Sequence, residues 1–344
     1  MKRNLGVLVW VFLAGSSLLS GCIGKSSQVT AIAIDPETPD TLYITTNDHV
    51  YKTRDGGSNW KIITEGMGHA RILSLGIHPS QPATVYAGTL GDSVYRSVDG
   101  GNRWSIINAG MKEHVSVVNA FIFYPGEAGS ILAATTVGIF KTTDGGLMWE
   151  ELPNKGMDSV YVVAVAMNPR DSNIFYAGTS GGVYMTVNGS ATWRSVNKGL
   201  IEGRVGTALS LGVNSLIMDP ENPAVLYAGT TKGAYKTETG AQGWTKVQEG
   251  MGESFVSAIL FHPFDRSILY AGTQSGVFKS TDRGSQWKSV SRGLTNFTVR
   301  SLAIHPKEPS ILYAGTQGGL FKSVDGAENW TKLNYEAKDS GKKS

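Results

Sequence analysis

Cysteine is almost missing: Cys22 is the only one in 344 residues. A lone cysteine excludes an intramolecular disulfide framework and a Cys/His zinc site. Charge is also scarce, at 17% of residues against a usual share of about 25%, which argues against a coiled coil or a charged disordered chain. No excess of one sign makes up for this. With Lys2 and Arg3 set aside as part of a removable leader, 29 bases face 28 acids, so the footprint of a nucleic-acid binder is absent. The longest mostly apolar run, Leu5–Leu19, has 15 residues, short of the roughly 20 that a membrane-spanning helix needs. No Gly-rich phosphate loop opens a helix, and no G-x-S-x-G elbow leads into one. What the chain does have is glycine, 43 of 344 residues against an average of about 7%. Such a chain is built of short strands and many turns.

The N-terminus reads as an export signal. Lys2 and Arg3 form its positive end, and the apolar run stops at Leu19-Ser20-Gly21-Cys22. An apolar residue, two small residues and a cysteine resemble the lipobox of bacterial lipoproteins. The resemblance implies cleavage after residue 21 and lipid attachment at Cys22. Ile23 follows where an aspartate usually retains such proteins at the inner membrane, so the outer membrane is favoured if the cell has one. Residues 22–28 then form a tether whose six residues after Cys22 reach only about 20 Å, at some 3.3–3.6 Å each.

A repeat sets the fold. Seven tryptophans, Trp60, Trp104, Trp149, Trp193, Trp244, Trp287 and Trp330, are spaced by 44, 45, 44, 51, 43 and 43 residues. Each closes a phrase such as Ser97-Val98-Asp99-Gly100-Gly101-Asn102-Arg103-Trp104. Upstream lies Leu-Tyr-Ala-Gly-Thr, as at Leu226–Thr230, and before it an apolar run ending in x-Pro, as at Ile304-His305-Pro306. Four strands per unit, named A to D in order, make a blade-sized repeat. The expected fold is therefore all-β, a seven-bladed β-propeller over residues 29–335, with 336–344 a loose tail. The turn aspartates Asp55, Asp99, Asp144, Asp282 and Asp325, with Asn188 in their place in the fourth unit, are read as structural. Each can accept backbone N–H bonds across a tight turn, and a catalytic residue would not be copied around a ring. The histidines His78, His262 and His305 all precede the x-Pro proline, a position taken elsewhere by Asp35, Asn168 and Asp219. That pattern points to turn capping rather than to a metal, and no cofactor is called for.

The Ser/Thr-x-Asp-x-Gly-x-x-Trp phrase is the Asp box, or BNR repeat, and the chain resembles the Asp-box propellers. Within them it is most similar to the photosystem II assembly and stability factor family. That resemblance implies a single propeller, tethered by lipid, which binds a membrane protein during assembly and performs no chemistry of its own. Sialidases, xyloglucan hydrolases and sortilin-type receptors share the box but differ in blade number or in added domains.

The variable loops, D–A and B–C, share one face of the disc and form the better binding candidate. The excess of about seven residues between Trp193 and Trp244 falls around 200–212 and carries Glu202 and Arg204. A second variable set lies on strand A: Thr30, Leu73, Asn119, Val163, Asn214, Ser257 and Arg300. Around the channel mouth these are either the seat of ordered water or, through Asn119, Asn214 and Arg300, part of a binding surface. The carboxylates of the variable face show no marked pair at glycosidase separation, so the reading leans away from catalysis. The expected function is a monomeric, membrane-tethered scaffold for a membrane or envelope protein, with glycan binding or hydrolysis as the alternative.

Overall fold

The computed structural model describes residues 28–91, 94–111, 117–200 and 211–335. The proposed leader, Cys22, the tether through residue 27, the tail, and Glu202 and Arg204 lie outside them. Among the described residues every regular element is a β-strand, and the strands form seven four-stranded antiparallel sheets. In each sheet the strand order follows the sequence, so every blade is one contiguous stretch of chain. The fold is a seven-bladed β-propeller.

Strand A is innermost, as in Val118–Phe123, Val213–Met218 and Val299–Ile304, and is buried almost throughout. A strand covered on both faces has no reason to alternate, which is why these runs read as continuously apolar. Strand B, such as Leu226–Thr230, is fully buried between blades. Its Tyr-Ala-Gly-Thr glycine has a packing reason. A Cβ on Gly178, Gly229 or Gly272 would fall within 2.8 Å of a valine on the inner strand of the next blade, and one on Gly315 within 2.8 Å of Val29, just before the inner strand of blade 1. Strand D is short and exposed, two residues in six of the blades. Short outer strands leave little unpaired edge for another chain to add to.

Seams between blades carry the stability. In blades 2 to 7 the tryptophan is at most 6% exposed, and its Nε1–H donates to a backbone carbonyl just after strand D of the preceding blade. Trp104 reaches Ile63 at 2.6 Å, Trp149 reaches Ile107 at 2.8 Å, and Trp330 reaches Val290 at 2.8 Å. Trp193, Trp244 and Trp287 do the same to Pro153, Val196 and Val247. Each of the six also donates its backbone N–H to that blade, at Glu65, Ala109, Lys155, Lys198, Glu249 and Arg292. The residue after each of those acceptors is a glycine followed by Met or Leu, as in Gly110-Met111 and Gly293-Leu294. This third repeated phrase is the socket for the tryptophan.

The seam between blades 7 and 1 is built differently. Trp60 is only half-buried, and its Nε1–H turns back to Gly57 O at 2.9 Å in its own turn. Tyr335 stands in for the socket, edge-on to Tyr51 at 5.1 Å and to Trp60 at 6.4 Å. Tyr313 Oη and Lys322 Nζ donate to Gly56 O, and Val29 N–H donates to Thr316 O.

Candidate functional site

The two faces of the disc differ in how their side chains are committed. On one face the A–B and C–D turns are tied together within each blade, as when Gly100 N–H donates to Ala83 O and Gly145 N–H to Gly129 O. Within the C–D turns the aspartate organises the backbone. Asp55 Oδ1 accepts from Thr53 Oγ1 at 2.6 Å and from the N–H groups of Ser58 and Asn59. Asp99, Asp144, Asp282 and Asp325 repeat this, each accepting a hydroxyl two residues back and an N–H four residues on. Asn188 makes the same pair of bonds through its amide oxygen. The bonds stabilise the ionised carboxyl: the Thr53 hydroxyl and the Asn59 amide hold Asp55 at about 2.

The residues before the x-Pro prolines cap the A–B turns. Asp35 Oδ1 accepts from the N–H groups of Glu37 and Thr38, and Asn168 and Asp219 make the equivalent bond. Histidine does this with its ring: His262 Nδ1 accepts from Phe264 and Asp265, and His305 Nδ1 from Lys307 and Glu308. His78 Nδ1 accepts from Ser80, and its Nε2 meets Ala128 O in the next blade at 2.6 Å. Among the described residues no three metal-ligating side chains converge.

An accepting Nδ1 must be unprotonated, and burial lowers the pKa of His262 and His305 below the ordinary 6.5. Their contribution is present above the unfolded pKa and is lost as pH falls through it toward the folded value. The Tm should therefore fall between pH 7.5 and pH 5. A His262→Asn, His305→Asn variant should flatten that slope, since asparagine caps the same turn in blade 4 without titrating. An unchanged slope in the variant would remove the histidines from the account.

On the other face the variable strand-A residues sit at a common irregularity. In blades 2 to 7 the A–B pairing slips by one at Leu73, Asn119, Val163, Asn214, Ser257 and Arg300, each the extra residue of a β-bulge. A bulge re-aims the side chain it carries, and here most polar members turn into the seam. Asn119 Nδ2 donates to Val162 O at 2.7 Å, Asn214 Nδ2 to Val256 O at 3.0 Å, and Ser257 Oγ to Val299 O at 2.8 Å. Thr30 Oγ1 reaches Ile72 O in the same way. The sequence placed these side chains around the channel mouth, whereas Asn119 and Asn214 are 1% and 7% exposed. They clamp neighbouring inner strands. The bulge takes each side chain out of the alternation, so its direction could not be read from period-two counting.

Arg300 is the bulge residue of blade 7. It is half-buried, and loss of water around it pulls its pKa below the usual arginine range. Of the variable-face carboxylates, Asp48, Asp158 and Glu253 are exposed, while Asp92, Glu113 and Glu202 lie outside the described residues.

The family described as Sortilin, neurotensin receptor 3 (Sortilin-Vps10) matches residues 232–341. No curated protein sequence matches the chain. Among solved structures, YCF48 bound to a D1 peptide is similar over 92% of this chain and 99% of that one, at 15% identity and a TM-score of 0.65. An extracellular domain of a one-component system from B. thetaiotaomicron covers 92% of this chain at 14% identity and a TM-score of 0.70; this chain spans 40% of its length. The GH74 xyloglucanase from Xanthomonas campestris covers 90% of this chain and 68% of its own, at 14% identity and a TM-score of 0.56. At these identities the likeness is one of fold: the chain is a seven-bladed β-propeller similar in structure to YCF48 and to GH74 propellers.

Proposed function

We propose that this chain is a non-enzymatic scaffold that binds a membrane or envelope protein during its assembly or stabilisation. The observation that carries the reading is the likeness to YCF48 with a D1 peptide bound, which extends over nearly the whole of both chains. The entry of the chain into the ring supports it. Val29 N–H donates to Thr316 O, at the B–C end of blade 7, so residue 29 lies at the variable face. A lipid on Cys22 would hold that face toward the bilayer, within about 20 Å at 3.3–3.6 Å per residue. The partner is then a protein whose exposed segment lies at the membrane surface. Arg300, in the bulge of blade 7, is the candidate cation for an acidic or carboxylate-terminated segment of that protein.

Crosslinking of the lipidated protein in its own membranes, followed by mass spectrometry, tests the reading. One dominant partner should be recovered, and Arg300→Glu should lower its yield at least tenfold. Recovery of the same partner from the variant would move the contact to the loop that carries Glu202 and Arg204. Absence of any specific partner would sink the scaffold reading. The likeness to a GH74 enzyme supports the second reading, a propeller directed at glycans.

A further inference from the structure

At four seams a basic side chain of strand C fills the gap beneath the neighbouring C–D turn. Lys52, Arg96, Lys279 and Lys322 donate to the turn carbonyls of Gly100, Gly145, Gly326 and Gly56, at 2.8 to 3.1 Å. The corresponding residue of blade 5, Lys236, is drawn aside to Glu238 at 2.7 Å. Arg283 replaces the turn glycine there, and Tyr227 Oη alone reaches its carbonyl. The seam between blades 5 and 6 is therefore left open as a cavity of about 210 Å³ on the turn face.

Three carboxylates, Asp219, Glu221 and Glu238, and three cations, Lys236, Arg266 and Arg283, line it above a floor of Tyr227 and Phe261. The Arg266 side chain is 19% exposed and lies over the Phe261 ring. Its Nε–H is buried with no hydrogen-bond partner, the Asp219 and Glu221 oxygens standing off at 3.9 Å.

We propose that this cavity binds one sugar ring of a saccharide. Its hydroxyls would donate to the carboxylates of Asp219, Glu221 and Glu238 and accept from Arg266 and Lys236. The charge balance decides the class. A free anion would meet three carboxylates and a free cation three bases, while an apolar ligand would leave all of them unpaired. A neutral group that donates and accepts at several points is the complement, and a hydroxyl does both. The volume fits, with room for about seven waters at roughly 30 Å³ each, enough for a single ring and too small for a chain.

The inference is independent of the protein-partner reading, since the cavity opens on the opposite face from Arg300. Full-length protein titrated with neutral hexoses, pentoses and short oligosaccharides, followed by ligand-observed NMR and calorimetry, tests it. One saccharide class should bind in the millimolar range. Glu238→Thr gives blade 5 the residue that blade 6 has at Thr281, and should release Lys236 to the Arg283 carbonyl and close the cavity. That variant and Glu221→Ala should each weaken binding at least tenfold with the Tm unchanged, both positions being exposed. Failure of every saccharide to bind, or binding intact in both variants, overturns the assignment, as does binding of control peptides in place of sugars.

Discussion

Trp149→Ala should destabilise the protein by about 3–5 kcal/mol, the usual range for emptying a buried tryptophan site, whereas Trp60→Ala should cost less than half of that. The sequence makes the two positions look alike. Their surroundings differ. Trp149 is 2% exposed and joins blade 3 to blade 2 through Ile107 O and Ala109 O. Its removal leaves a cavity and an unpaired buried carbonyl at one seam. Trp60 is half-buried and bonded within its own turn, so less packing is lost. Against a net stability of about 5–15 kcal/mol the first loss is large, and urea unfolding of both variants measures it. Equal shifts would mean that the closing seam is as tight as the others.

The second large effect is expected from a single methyl group. Gly110 has φ 81°, and a Cβ there would lie 2.0 Å from the backbone carbonyl oxygen of Trp149. Gly126 has a similar φ of 76° but nothing within 4 Å of the added carbon. Gly126→Ala should therefore cost only the left-handed penalty of about 1–2 kcal/mol. Gly110→Ala adds displacement of the Trp149 backbone and should cost at least twice as much. Thermal melts of the pair separate the two contributions. Similar melting temperatures would show that the socket yields without strain.

Strand order, blade number and the turn phrases were legible because each repeats seven times with large or unusual residues. The Gly-Met/Leu socket was not. It consists of two common residues in a glycine-rich chain, and it becomes visible only when the tryptophans are aligned, six residues on in five blades and seven after Trp149. The inner ring was legible as a set of variable positions but not in direction. Asn119 and Asn214 turn into the seams because a bulge breaks the alternation from which their direction would have been inferred. The cavity between blades 5 and 6 depends on which way Lys236 bends, and no local pattern encodes that choice.

Each blade is contiguous in sequence, and the ring is closed by contacts such as Lys322 to Gly56 across 266 residues. Hairpins form early because their ends are near one another, while pairing of distant segments is slow. During synthesis the blades can add one after another to a growing arc, each docking its tryptophan on the blade before it. Until blade 7 is complete, the arc has two raw flanks: the side of Ile32 and Ile44 at its start and the face of the newest blade at its front. Ile32 and Ile44 are fully buried in the finished ring. A chain stalled one blade short would keep both flanks bare and would be prone to join other arcs end to end.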